Sequence, residues 1–172
     1  AELLLAAAPF QDAEVAFVDA VQGPVRERVA AAAGDFVLRH ADGMFAYQLA
    51  VSIDDWAMGI TDVVRGADLL PSTARQLLLV SLVGASWSPT TWHVPLVISA
   101  EGERLAKRAA LGSIRDLFTA GLSGATILGK LAHGLGLAAD DRPRQASDLA
   151  TGDPAPAFRR EPWVAPSLEE WT

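Results

Sequence analysis

Cysteine is absent from all 172 residues, which excludes disulfides and thiolate metal sites. Histidine is scarce, and His40, His93 and His133 lie too far apart in sequence to suggest a local ligand cluster, so neither zinc nor any other resident metal is expected. Positive charge is in short supply as well. With 14 Lys and Arg against 21 Asp and Glu, the net charge of -7 argues against a protein that coats nucleic acid through a generally basic surface, while leaving room for a local basic patch. Long apolar runs are missing: the longest, Leu77 to Val83, falls well short of the ~20 residues that span a bilayer. The opening segment from Ala1 to Phe10 has no basic leader, so a cytoplasmic location without membrane association is expected. Glycine-rich phosphate loops, Gly-x-Ser-x-Gly elbows and His-Glu-x-x-His helices are not found.

What is present suits a globular domain, since 51% of the residues are hydrophobic and 20% charged. Val25 to Ala33 (VRERVAAAA) holds good helix formers closed by Gly34 and predicts a helix. Asp35 to Arg39 predicts a short strand, with Ala41-Asp42-Gly43 turning into Phe45 to Ile53. There Phe45, Tyr47, Leu49, Val51 and Ile53 alternate with smaller residues at the period of a strand, which Asp54-Asp55 would end. Ile60 to Val64 reads as another strand, leading to Arg65-Gly66. Pro71 and Ser72 open a helix whose apolar body is Leu77 to Val83 and whose stop is Gly84. Trp92 to Ser99 is β-rich around Pro95, as at an edge or irregularity. The order is α/β, most simply the second half of an open Rossmann-like parallel sheet.

Further on, Ser113 is placed to cap a helix ending at Gly121, and Ser123 a second helix carrying Ile127, Leu128, Leu131 and Leu135 on one face. His133 reads as an exposed residue on that helix. From Asp140 onward the chain holds half of its 10 prolines, which predicts an extended tail that packs Trp163 and Trp171 onto the body. The expected division is 1–111 for the nucleotide-binding part, 112–139 for a helical appendage and 140–172 for the tail.

Two segments carry candidate chemistry. The first joins Phe45-Ala46-Tyr47-Gln48-Leu49-Ala50 and Asp54-Asp55 to Gly59-Ile60-Thr61, Arg65-Gly66 and Ser72-Thr73. The second joins His93-Val94-Pro95-Leu96-Val97 to Arg104-Leu105-Ala106-Lys107-Arg108. In order and spacing these resemble the C-terminal part of the glutamyl-tRNA-synthetase-like class I ligases. Phe-Ala-Tyr-Gln-Leu-Ala is the form found in their short glutamyl-queuosine tRNA(Asp) paralogues. Arg104 to Arg108 resembles the Lys-Met-Ser-Lys-Ser signature loop, with Arg104 in place of its first Lys and Ala106 in place of its Ser.

The resemblance implies activation of L-glutamate with ATP and Mg2+, then transfer to queuosine of tRNA(Asp). Tyr47 and Arg65 would bind glutamate and Lys107 the ATP phosphates. A guanidinium grips a carboxylate bidentately, and a mobile ammonium stabilises the charge that builds on the transferring phosphoryl group. Singly, Tyr47 would be a core aromatic, Arg65 a surface ion pair and Arg104, Lys107 and Arg108 a solvated loop; the joint match in order and spacing favours the functional assignment. The family's His-Ile-Gly-His motif does not precede Asp35, and Ala1 is not a start methionine. A fragment of a longer ligase, or a degenerate paralogue whose N-terminal half is a separate partner, is therefore expected. A truncated glutamyl-tRNA synthetase is the alternative within the class; outside it stands a non-catalytic tRNA- or partner-binding remnant that kept the basic loop.

Overall fold

The computed structural model describes residues 14–99, 102, 104, 113–150, 158–166 and 168–171. The chain forms two compact units, the first ending at His93 and the second beginning at Val94.

The first unit is built on a four-stranded sheet, ordered β2-β1-β4-β3. Strand β1 (Glu14–Asp19) pairs antiparallel with β2 (Gly23–Arg28), in register from Glu14↔Arg28 to Asp19↔Gly23. Gly23, at φ 86°, closes the hairpin. On its other side β1 runs parallel to β4 (Thr90–Val94), Asp19 facing Thr91, and β4 is hydrogen-bonded in turn to β3 (Asp62–Gly66). In β1 the side chains of Val15, Phe17 and Asp19 turn inward while Glu14, Ala16 and Val18 face out.

Three segments depart from the sequence expectations. Val25 to Arg28 is strand rather than helix, because pairing across the hairpin outweighs local propensity; only α1 (Val29–Ala33) is helical, stopped by Gly34 as expected. Asp35 to Arg39 forms no full strand, although the turn at 41–43 stands and Arg39 makes one antiparallel bridge to Phe45. Phe45 to Ile53 is not a strand: Tyr47 opens α2 (Tyr47–Ala57), which continues through Asp54-Asp55 where a turn was expected.

The reason for the last departure is chemical. The inward stripe of α2 is polar, Gln48 and Ser52, and it meets the polar stripe Ser72 and Gln76 of α3 (Leu70–Leu82). Gln48 Nε2 donates to Ser72 Oγ at 3.0 Å and Gln76 Nε2 to Gln48 Oε1 at 3.0 Å. A hydrophobic period therefore never marked α2 as a helix. Helix α3 follows the expectation, with Pro71 in its first turn and Gly84, at φ 78°, just beyond its end.

In the second unit β5 (Val97–Ile98) follows the interruption at Pro95 and pairs parallel with β6 (Trp163–Val164). Helices α4 (Ile114–Thr119) and α5 (Gly124–Leu135) stand where Ser113 and Ser123 predicted them. Ser113 and Asp116 form a capping box, and Ser123 Oγ accepts from Thr126 N at 3.1 Å. Short helices α6 (Ala146–Leu149) and α7 (Leu168–Trp171) complete the unit. Its core joins Leu117, Ile127 and Trp171, flanked by Leu122, Leu131 and Trp163. The tail thus packs both tryptophans, as predicted, with ring centroids 6.3 Å apart. His133 is half-buried rather than exposed, its Nδ1 bonded to the Ala138 carbonyl at 3.1 Å, because the turn after α5 folds back over the helix.

Candidate active site

Asp19 is where β1 ends, and its carboxylate is enclosed by donors. Oδ1 accepts from Val21 N at 3.0 Å, Gln22 N at 2.9 Å and His93 N at 3.2 Å, while Oδ2 lies 2.6 Å from His93 Nδ1. The Asp19 and His93 side chains are wholly buried. Burial alone would raise the Asp19 pKa, but the hydrogen bonds from Gln22, His93 and Val21 together hold it below the usual carboxylate range.

His93 reaches this carboxylate through the alternation of β4, in which Thr91 and His93 face inward. Its other ring nitrogen, Nε2, accepts from Arg65 Nε at 3.0 Å. A guanidinium only donates, so Nε2 carries no proton and the ring is the neutral Nδ1–H tautomer, donating to Asp19. Desolvation, opposed by Asp19 but assisted by the positive Arg65, depresses the His93 pKa and agrees with a neutral ring.

Arg65 extends from β3. Beyond its bond to His93, Nη2 donates to Thr73 Oγ1 at 2.6 Å, and that hydroxyl lies 3.2 Å from His93 Nε2. Burial pulls the guanidinium pKa down, countered by the nearby side chains of Tyr47, Asp55 and Asp19. The arginine remains a cation, now partly withdrawn from water. Asp19 and Arg65 bracket a neutral imidazole, so the buried chain of groups carries no net charge.

The structure places Tyr47 near Arg65. Tyr47 stands at the first position of α2, where its side chain is 56% exposed and available to a ligand. Arg104 makes an antiparallel bridge with Ile98 in the second unit. Leu105, Ala106, Lys107 and Arg108 lie outside the described residues. Among the described residues no group of three or more His, Asp or Glu is placed to hold a metal, and no helix is long and apolar enough to cross a membrane.

Sequence reasoning passed over Asp19 and gave Thr73 and His93, both within the quoted motifs, no role. A signal existed for His93: Thr91 and His93 are polar residues in phase on either side of Trp92, a pattern that requires partners once buried. Asp19 carried a weaker one, the end of the alternating run Glu14 to Val18.

Comparison with known proteins bears on the family and the fold. The family model for tRNA synthetases class I (E and Q), catalytic domain, matches residues 4–121. A glutamyl-Q tRNA(Asp) synthetase of Nitratidesulfovibrio vulgaris is 52% identical over 137 residues, 80% of this chain and 42% of that protein. One from Symbiobacterium thermophilum is 41% identical over 156 residues, 91% of this chain and 48% of its own length. The crystal structure of glutamate-tRNA synthetase from Elizabethkingia anophelis superposes with a TM-score of 0.72 at 24% identity, covering 93% of this chain and 36% of that one, a likeness of fold. The chain spans less than half the length of these curated relatives.

Proposed function

The chain belongs to the catalytic-domain family of the class I (E and Q) tRNA synthetases, and from that membership we propose that it forms part of an enzyme that activates L-glutamate with ATP and transfers it to the queuosine of tRNA(Asp). The observation that carries the proposal is the Arg65 guanidinium, partly buried, near Tyr47 and fixed from behind by His93 and Thr73. A cation in that position offers donors alone. A carboxylate satisfies them, whereas the amide nitrogen of glutamine would bring more donors against them, so the site selects the acid.

Activation requires the glutamate α-carboxylate to attack the α-phosphate of ATP, releasing pyrophosphate. Arg65 and Tyr47 hold the amino acid, which lowers the entropic cost of that attack. Lys107 is assigned to the ATP phosphates, where an ammonium stabilises the charge of the transferring group, and Mg2+ arrives with the nucleotide as part of the substrate. The choice of the queuosine acceptor is supported by the relatives at 52% and 41% identity, both glutamyl-Q tRNA(Asp) synthetases. A cytoplasmic setting suits ATP and tRNA as substrates.

Glutamate-dependent exchange of pyrophosphate into ATP, followed by transfer of labelled glutamate to tRNA(Asp), tests the reading in the full-length protein. Exchange with glutamate but not glutamine, and label that reaches only queuosine-containing tRNA(Asp), is expected. Charging of the 3′ end of tRNA(Glu) instead would replace the proposal with an ordinary glutamyl-tRNA synthetase. Salt-dependent tRNA binding without any exchange would replace it with a non-catalytic binding module.

A further inference from the structure

We propose that Asp19 and His93 are positioning residues for Arg65, locking its guanidinium so that the edge formed by Nη1 and Nη2, and not the edge formed by Nε and Nη2, receives the substrate carboxylate. The proposal rests on the reading of Arg65 as the glutamate-binding cation and adds to it the element that aims the side chain.

The planar guanidinium can meet a carboxylate along either of two edges. In this structure the edge containing Nε and Nη2 is occupied: Nε donates to His93 Nε2 at 3.0 Å and Nη2 to Thr73 Oγ1 at 2.6 Å. What remains is Nη1 with the second hydrogen of Nη2, the donors that Tyr47 and a ligand carboxylate would share. The orientation depends on His93 Nε2 staying unprotonated. Were the ring to carry its proton there, two donors would face each other across the contact and Arg65 would turn away.

Asp19 prevents this. Its Oδ2 takes the Nδ1 proton of His93 at 2.6 Å, and its Oδ1 is anchored by the backbone N–H groups of Val21, Gln22 and His93, so the carboxylate cannot rotate toward another partner. Gln22 Nε2 in turn donates to the His93 carbonyl at 2.8 Å, tying the β1–β2 turn to β4. The aim of Arg65 is thus set by a chain of hydrogen bonds from the hairpin turn through β4 to β3.

Two substitutions divide the relay at its middle. His93→Asn keeps an amide N–H where Nδ1 donates to Asp19 and loses the acceptor for Arg65; His93→Gln can place its carbonyl oxygen near the Nε2 position and keeps that acceptor. In the full-length enzyme, H93N should raise the KM for glutamate about tenfold or more while leaving the KM for ATP within about twofold, and H93Q should stay within about threefold of wild type. Equal glutamate KM values for H93N and H93Q would overturn the proposal, because a merely structural role has no reason to distinguish them in that direction. The 15N spectrum of the His93 ring in the unsubstituted protein is the second measurement. A protonated Nδ1 with a pyridine-type Nε2 at neutral pH is expected, and an Nε2–H tautomer or an imidazolium overturns the relay. An unsubstituted enzyme inert toward glutamate would sink the proposed function, and the ring spectrum would still decide the relay.

Discussion

Among the described residues both units bury apolar side chains, Val29, Leu79 and Val80 among them in the first, but only the first also buries polar ones. In the first, the most deeply enclosed side chains include Asp19, Ser52 and His93, with Thr73, Gln76 and Thr91 close behind. In the second, the enclosed set is Leu117, Ile127 and Trp171, stacked with Trp163. An apolar core gains free energy from each area of surface removed from water, whereas a buried carboxylate and arginine cost desolvation that their mutual bonds only offset. Among the described residues the fold confines its buried charge to the first unit, where it sits beside apolar residues such as Leu79 and Val80, and leaves the second to apolar packing. The contrast can be broken by substitution, unit by unit. Trp87 and Trp92 report on the first and Trp163 and Trp171 on the second, so 19F-labelled tryptophan separates the two responses.

Asp19→Ala should have the largest effect. It strands the His93 ring and the N–H groups of Val21 and Gln22, which the carboxylate now satisfies. Breaking a buried pair by removing one member costs about 3 to 5 kcal/mol, and urea unfolding followed at Trp87 and Trp92 should register it. If the loss is under about 1 kcal/mol, the carboxylate is not the anchor described. Trp171→Ala comes next, at about 3 kcal/mol, since it opens a cavity beside Leu117 and Ile127; the signals of the second unit should report it.

Gly134→Ala is smaller and sharper. A Cβ built there would sit 2.3 Å from Cε2 of Trp163, whose backbone is pinned by its N–H bond to the Leu96 carbonyl at 2.8 Å. The indole cannot simply retreat, so overpacking should cost about 2 kcal/mol by thermal unfolding. Gly124→Ala is the control: its Cβ would meet Phe118 at an ordinary 3.8 Å and should be tolerated. Ser123→Ala removes the acceptor for Thr126 N, for a loss of about 1 kcal/mol.

The same contrast explains what the sequence could and could not disclose. The second unit was legible because its determinants are local: Ser113 and Ser123 as caps, a 3.6-residue apolar stripe from Ile127 to Leu135, and tryptophans in need of cover. The first unit resisted where α2 meets α3, because that contact is polar. Alternating bulk from Phe45 to Ile53 imitated a strand, while the true inward stripe of α2, Gln48 and Ser52, looks like solvent-facing helix until Ser72 and Gln76 are placed opposite. Helix formers in Val25 to Arg28 were overruled by a hairpin partner earlier in the chain. Tyr47 and Arg65 were drawn from a motif match and lie near each other in the fold; Asp19 could not be found so, since its partner His93 is 74 positions away.

The gentlest perturbation is acid. His93 has a pKa below its ordinary 6.5 when folded, chiefly through burial, so between the two values the unfolded chain binds the proton more readily than the native one. Its contribution to stability is complete above pH 6.5 and is lost as the pH falls toward the depressed value. Asp19, held below 3.8 by its hydrogen bonds against the push of burial, adds a loss of the same sign at still lower pH. In the second unit the displaced groups are carboxylates: Asp116, lowered by its bonds from Ser113, and Asp140, lowered to about 2 by Arg142 and Arg144. Their contributions stay intact until the pH drops below 3.8. The first unit should therefore begin to weaken near pH 6 while these carboxylates still hold the second, and the Trp87 and Trp92 signals should shift at lower denaturant than those of Trp163 and Trp171 as the pH is taken from 7 to 5. His93→Gln, which has no ring to protonate, should flatten that difference. An unflattened profile would mean that another group in the first unit takes up the proton, and that His93 is not what makes it sensitive to acid.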